Sequence, residues 1–427
     1  MLVVGGTIGS GIFFTPSVSA RALPSANWVL AVWAIGGVVA IAGALSYAEL
    51  GAMLPDAGGP YVYVREAFGK LAAFLYGWMI LTLIATGAIA AVAVGFAGYL
   101  ERFLFVDLAP VGGRNVVAAA VILLLSTVNY LGVKPGVMVQ NVLTMAKLAA
   151  LGALIVGGLV LWGHVGAPAP VSDAPAARTP LLLALGAAFV PVLFTIGGWQ
   201  QMNMVAGEVR DPQRTIPRSL GIGIAIVVAI YLGANLVYLH ALGRDGLAAS
   251  HAAAADAATR YFGPPGARFI AASAMLSIFG FVSVAILSNA RIVFAMSLDG
   301  AFLRAAGRVH PRFGSPDLAI GLLAGWSIIL LLATRGNLDY LLSGVVFADW
   351  IFFGLGAASV FVLRSRRPEA LRPYRVPGYP WLPAFFVIAA AIGVASSFIA
   401  APFMSLLGVA LLIVGGGIFW VRELART

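Results

Sequence analysis

The stretch GGTIGSGIF, residues 5–13, decides how this chain must fold. Gly5, Gly6, Gly9 and Gly11 crowd around Thr7 and Ser10, four glycines in seven residues. Each glycine in a helix interior costs about 1 kcal/mol relative to alanine, so the run makes a poor regular helix. A small-residue packing face is the plain alternative, because Gly5 and Gly9 have the spacing of close helix contacts. Packing of that kind does not call for the other two glycines. The run reads instead as an unwound segment between two half-helices, which membrane depth tolerates only where it lines a cavity or is buried in protein.

That the setting is a membrane follows from composition. Of 427 residues, 61% are hydrophobic, 10% are charged and none is cysteine, against roughly a quarter charged in an ordinary soluble domain. A spanning helix needs about 20 apolar residues. Breakers and charges place spans near 2–22, 28–53, 71–99, 115–131, 136–162, 181–206, 217–242, 267–297, 318–334, 338–363, 382–400 and 403–421. A soluble catalytic domain, a nucleic-acid-binding module and a disulfide scaffold are all excluded. The net charge of +10 is assigned to loops that hold the orientation.

With the N-terminus inside, the cytoplasmic segments hold sixteen Lys and Arg, including Lys134, Arg364, Arg372 and Arg426, against eight on the other face, including Arg21, Arg114, Arg178 and Arg335. Both termini are therefore expected in the cytoplasm. Met1 has no basic lead-in, so no cleavable signal peptide is expected. Only a few apolar residues precede the glycines, so the first half-helix is expected to be short at its cytoplasmic end. The polar stretch from Pro55 to Lys70 reads as a loop with a short interfacial helix.

A second break lies in the sixth span, at FTIGGWQQ, residues 194–201, where adjacent glycines and then amides interrupt an apolar run. The first and sixth spans are matching members of two five-helix halves. Glycine-interrupted helices at corresponding places in two halves point to a transporter site near the membrane midplane. The half-helix beginning near Ser10 offers unpaired N–H groups and a partial positive charge, which suit a carboxylate. Free carbonyls ending the preceding half-helices suit an ammonium. A ligand carrying both groups close together is an α-amino acid.

Isolated charges complete the reading. Lys147 lies mid-span in QNVLTMAKLAALGALIV, where a charge must face the interior and find a partner or lose its proton. It is either a proton carrier or a fixed cation standing in for a metal. Asp349 is a candidate for side-chain selectivity or the inner gate, whereas Arg291 reads as a snorkelling or helix-capping residue. Glu49 and Glu208 read as structural or gate-anchoring carboxylates near span ends. Tyr231 and Asn235 lie one turn apart in the seventh span and either border the cavity or bond between helices. Trp199 is a candidate wall or gate, as is Phe194. No metal-ligand pattern, nucleophile–base pattern or cofactor motif is visible.

At GGTIGSGIFFTP, FTIGGWQQMNMVAGEV and VFADWIFFG…RPYRVPGYP, the chain resembles the amino acid–polyamine–organocation superfamily, and within it the L-type amino acid transporters and their bacterial homologues. The likeness runs over nearly the whole chain. It implies an all-α membrane fold, a five-plus-five inverted repeat with discontinuous helices 1 and 6 plus two extra helices. The repeats then fall at 1–162 and 181–363, joined by an extracellular linker at 163–180 and followed by 364–427. It further implies alternating access and exchange or proton-linked movement of amino acids in the cell membrane, and Lys147 in place of a metal argues against sodium dependence. Carried over by position, carboxylate-binding amides fall on Ser10 and Gly11 beside Gly9, and amine-binding carbonyls on Thr7, Phe194 and Gly197 with Gly198 adjoining. The resemblance sets Lys147 against the first unwound segment and Ser283 of the eighth helix, and it matches Tyr231 to an aromatic hydroxyl at the site.

Ile196 and Gln200 depart from residues common in the superfamily and border the place of the substrate side chain, so the substrate is not named by analogy. Neutral L-amino acids are the expectation. Without cysteine there is no disulfide to a heavy subunit of the kind animal members use, so the chain is expected to act as a monomer, with substrate and lipid as its partners and no nucleic acid. Two rivals stand beside this reading: a proton-coupled polyamine or organic-cation carrier, which would want Asp349, and an amino acid sensor without flux.

Overall fold

The computed structural model describes residues 2–55, 59–108, 112–132, 137–166, 180–204, 206–298, 300 and 302–424, and every strand-or-helix element among them is helical. Lys134, Arg178, Arg426, most of the 163–180 linker and the side chain of Glu208 lie outside the described residues.

The first span is split into α1 (Leu2–Thr7) and α2 (Gly11–Ala22). Next come α3 (Ala26–Met53) and the short amphipathic α4 (Pro60–Phe68). The third span comprises α5 (Lys70–Met79), a π-helical turn at Ile80–Ile84 and α6 (Ala85–Leu104). Then follow α7 (Gly113–Tyr130), α8 (Val137–Val160) and a second split span, α9 (Leu181–Ile196) with α10 (Gln201–Met204). The remaining helices are α11 (Pro212–Ala249), α12 (Ala253–Leu298), α13 (Asp317–Ala333), α14 (Leu338–Arg366), α15 (Trp381–Ala400) and α16 (Pro402–Leu424). Nine helical stretches among the described residues are long and apolar enough to cross a membrane, joined by shorter apolar pieces at Thr144–Val160 and Asp317–Ala333. With the split first span, the crossings match the twelve expected, and their ends fall within a few residues except in α11 and α12.

Those two helices run past their spans because glycine bends them. Gly243 has φ 67° and Gly263 has φ 69°, left-handed values that a side chain resists. Each bend turns a short helical segment, 244–249 and 253–262, across the face opposite the chain ends. Arg102 pairs with Asp256 at 2.9 Å and the Ser250 hydroxyl donates to the same carboxylate at 2.6 Å, holding that cap down.

Between helices in lipid, association rests on close packing rather than on exclusion of water. Small residues supply it: a Cβ on Gly36 would stand 2.4 Å from Val192, and one on Gly37 would stand 2.6 Å from Val228. Thus α3 lies tight on α9 and α11, while α2 packs on α9, α6 on α12 and α14 on α15. At the chain-end face, Glu49 is 1% exposed and accepts from Arg364 at 2.8 and 2.6 Å and from the Val376 N–H at 2.7 Å. Removing one partner of so buried a pair costs about 3–5 kcal/mol. Nearby, Arg367 donates to Glu66 at 2.6 Å and holds that carboxyl below its ordinary pKa. This ties α4 to the end of α14. Arg291 is exposed near the end of α12.

Candidate substrate cavity at the two helix breaks

The first break follows from its own hydrogen bonds. The Ile8 N–H still reaches Val4 at 2.8 Å, but the Gly9 N–H turns to Thr7 at 2.7 Å, and α2 begins only at Gly11. The opening N–H groups of α2 therefore have no intrahelical partner. No side chain caps this end, because Ser10 makes no capping bond. At the second break, Gly197 is extended and Gly198 has φ 94°. The Gly198 N–H is taken by the Gln200 side-chain oxygen at 2.8 Å.

Three side chains hold the first break from outside. Lys147, 5% exposed, donates to the carbonyls of Gly5, at 2.7 Å, and Ile8. The Tyr231 hydroxyl donates to the Thr7 carbonyl at 2.7 Å and lies 3.2 Å from that of Thr195, so one group joins the ends of α1 and α9. The Ser277 hydroxyl donates to the Gly9 carbonyl at 3.2 Å. Each contact satisfies a carbonyl that unwinding leaves without a helical partner, and together they fix the shape of the segment.

Between the breaks lies a cavity of about 110 Å³. Thr7, Gly9, Ser10, Gly11, Phe194, Gly197, Gly198, Gln200 and Asp349 all line it. The hydroxyls of Thr7 and Ser10 are buried and have no hydrogen-bond partner among the described residues. Toward the face opposite the chain ends the cavity is closed. Thr15 and Thr195 share a hydrogen bond at 2.6 Å, and Tyr99 donates to the Phe13 carbonyl. Its other wall reaches Met204, Ser288 and Asn289, which lie toward the chain-end halves of their helices.

Several residues singled out in the sequence stand elsewhere. Trp199 is 1% exposed, but it packs on Tyr47 at 5.0 Å and Phe353 at 5.6 Å, on the side away from the cavity. The backbone reverses at Gly198, which throws the following side chain outward. Ile196 is buried toward α3, within 3.5 Å of where a Gly36 Cβ would be. Tyr231 acts on the break from behind, and Asn235 donates back to the Tyr231 carbonyl at 2.8 Å, within its own helix. Ser283 is not a partner of Lys147, contrary to expectation. The ammonium is occupied by the two backbone carbonyls, and Ser283 instead accepts from Asn129 of α7 at 3.3 Å.

Other lining residues had not been singled out: Gln201, Thr195, Tyr76, Phe281, and Ile80 and Ile84 of the π-helical turn. Gln201 and Thr195 sit inside the quoted glycine run and were open to inference. Phe281 and the π-helical turn lie in largely apolar sequence with no glycine cluster to mark them.

Residues 1–419 match the amino acid permease family. The serine/threonine exchanger SteT of Bacillus subtilis is 31% identical over 401 residues, covering 91% of this chain and 88% of that protein. The large neutral amino acids transporter small subunit 2 of Mus musculus is 33% identical over 378 residues, 88% of this chain and 71% of its own length. The Asc-type amino acid transporter 1 of Mus musculus is 30% identical over 429 residues, covering this chain fully and 80% of that protein. With two abutting helix breaks around a small polar cavity, and likeness along its whole length, the chain belongs to the amino acid permease family of the amino acid–polyamine–organocation superfamily and is a membrane transporter of amino acids.

Proposed function

We propose that the substrate is a small neutral L-amino acid, moved by sodium-independent alternating access. The observation that carries this reading is the pair of buried, unpartnered hydroxyls of Thr7 and Ser10, on residues that line a cavity of about 110 Å³ at the start of α2. Unsatisfied buried donors call for a ligand that supplies acceptors. An α-carboxylate meets Ser10 and the free N–H groups of Ser10 and Gly11. The ammonium meets the carbonyls of Phe194 and Gly197, while that of Thr7 already accepts from the Gly9 N–H and from Tyr231. The cavity has room for several waters and hence for a few side-chain atoms. That favours substrates of the size taken by the serine/threonine exchanger over bulky aromatic ones. Lys147 supplies a fixed cation on two carbonyls of the break, which makes a sodium ion there redundant.

In this reading residues 1–162 and 181–363 are the inverted repeats, the chain-end face is cytoplasmic, and the cavity faces inward in the cell membrane. The chain acts as a monomer, having no cysteine for a disulfide to a second subunit. A second reading takes a substrate with a side-chain cation. It rests on Asp349, which lines the cavity with no hydrogen bond or ion pair among the described residues. Thermal stabilisation of purified protein across the twenty amino acids, putrescine and agmatine separates them, because a ligand that binds only the folded state raises its apparent stability. Shifts with small neutral amino acids, followed by their flux in proteoliposomes at zero sodium, are the expected result. Shifts with amines alone would transfer the site to the second reading, and binding without flux would make the chain a sensor.

A further inference from the structure

On the face opposite the chain ends lies a second cavity, of about 360 Å³, stacked over the closed side of the first. Phe14 of α2 forms part of its floor, while Gly11 of the same helix lines the central cavity. Three residues of helix separate them, a rise of about 4.5 Å. Thr15 and Tyr99, through their hydrogen bonds to Thr195 and the Phe13 carbonyl, form the partition between the two.

Its walls are unusually cationic. Arg21 near the end of α2, Arg114 near the start of α7 and Arg335 in the turn before α14 all line it, so three separate elements bring an arginine to one space. Arg114 is neutralised by Glu101 at 2.7 Å. The side chains of Arg21 and Arg335 make no hydrogen bond or ion pair among the described residues, and neither does that of Asp339 on the same wall. His251, also in the lining, is held below its ordinary pKa by partial burial and then by Arg114 and Arg21, against the pull of Glu101. The field in the cavity is thus positive, with one uncommitted carboxylate beside two uncommitted guanidiniums. Arginine forks match a carboxylate bidentately, and the leftover carboxylate suits an ammonium.

We propose that this outer cavity is a second, weaker site for an amino acid zwitterion, with its carboxylate on Arg21 and Arg335 and its ammonium toward Asp339. It rests on the central-site reading for the identity of the ligand. The ligand waits one helical turn from the central cavity, and opening of the Thr15–Thr195 contact passes it inward. A weak site at the mouth holds the ligand beside the central cavity, so it would raise capture from the outer face alone.

The test uses the full-length protein with L-serine as probe, beside propionate, ethylamine and inorganic phosphate at constant ionic strength. Equilibrium binding to wild type is expected to show two L-serine sites of unequal affinity, with one remaining in R21Q/R335Q. In oriented proteoliposomes the outer KM of R21Q/R335Q rises about fivefold, and rises with salt in wild type, while the inner KM stays unchanged. Both arginines are exposed, and an unaltered ligand-free melting temperature checks folding. If the double variant is unstable, R21K/R335K, which keeps charge but loses the fork, serves in its place and still raises the outer KM. One site in wild type together with an unchanged outer KM overturns the proposal. So does protection by phosphate with none by L-serine at the weaker site, which would make it an inorganic-anion site. Failure of the central reading looks different, because wild type would then bind no amino acid at either affinity.

Discussion

Gly198 and Gly6 meet backbone to backbone, so that a Cβ on Gly198 would stand 2.8 Å from the Gly6 carbonyl oxygen. The two helix breaks are therefore one structure, each shaped against the other. Gly198 also has φ 94°, where an L side chain costs roughly 1–2 kcal/mol before any clash is counted. Gly198→Ala is expected to lower the melting temperature and to abolish stabilisation by substrate. Gly197 has φ −71° and ψ −177°, open to any residue, and its Cβ would lie 3.5 Å from the nearest atom. Gly197→Ala should keep measurable binding, and equal damage from both substitutions would refute the role given to Gly198.

Lys147 bonds two carbonyls that unwinding has released, those of Gly5 and Ile8. A hydrogen bond to a charged group contributes about 1.5–3 kcal/mol, and its loss here leaves buried acceptors bare. Lys147→Met, which keeps the apolar stem, should destabilise the protein by several kcal/mol and reduce uptake more than tenfold. Calorimetric melting and proteoliposome flux measure the two effects. Should Lys147 also carry the coupled proton, wild-type uptake follows an imposed pH gradient and the residual uptake of Lys147→Ala does not. Indifference to the gradient in both would leave it a purely structural cation.

How much of this was legible in sequence depends on the kind of signal. Both breaks were readable because left-handed backbone and close approach demand glycine, and GGTIGSGIF and FTIGGWQQ concentrate it. Span positions followed from hydropathy alone, failing only at α11 and α12, where Gly243 and Gly263 add short helices to the face opposite the chain ends. The direction of side chains around a break was not legible, because an unwound segment has no period to extrapolate. That is why Trp199, next to the glycine pair, turns out to face Tyr47 and not the cavity. Pairings between distant spans were equally hidden: nothing local in sequence says that Ser283 meets Asn129 instead of Lys147.

Tyr231 ties α1 to α9 through one hydroxyl, while its ring packs edge-on against Trp33 at 5.8 Å. Tyr231→Phe keeps the ring and removes the tie. The loss is about 1 kcal/mol for a neutral hydrogen bond, and the freed carbonyls of Thr7 and Thr195 are no longer fixed toward the cavity. Substrate affinity is expected to fall about fivefold with little change in melting temperature. A large fall in stability with unchanged affinity would mean that the hydroxyl holds the bundle together and does not shape the site.

Asp349 poses the sharpest question about selectivity. It is the acidic residue among those lining the central cavity, and the unpartnered hydroxyl of Tyr76 lies on the same wall. A polar group removed from water without a partner is costly, so a substrate side chain that donates a hydrogen bond is rewarded there and an apolar one is not. Asp349→Asn preserves size and one acceptor oxygen but replaces the other by an amide nitrogen that only donates. The preference for L-serine over 2-aminobutyrate, which replaces the hydroxyl by a methyl, should therefore shrink about five- to tenfold in competition uptake. If putrescine binds wild type at all, the same substitution should abolish that binding, since no other lining carboxylate is available to it. An unaltered serine preference in Asp349→Asn would place the substrate side chain elsewhere in the cavity, against Phe281 and the π-helical turn, and would remove Asp349 from recognition.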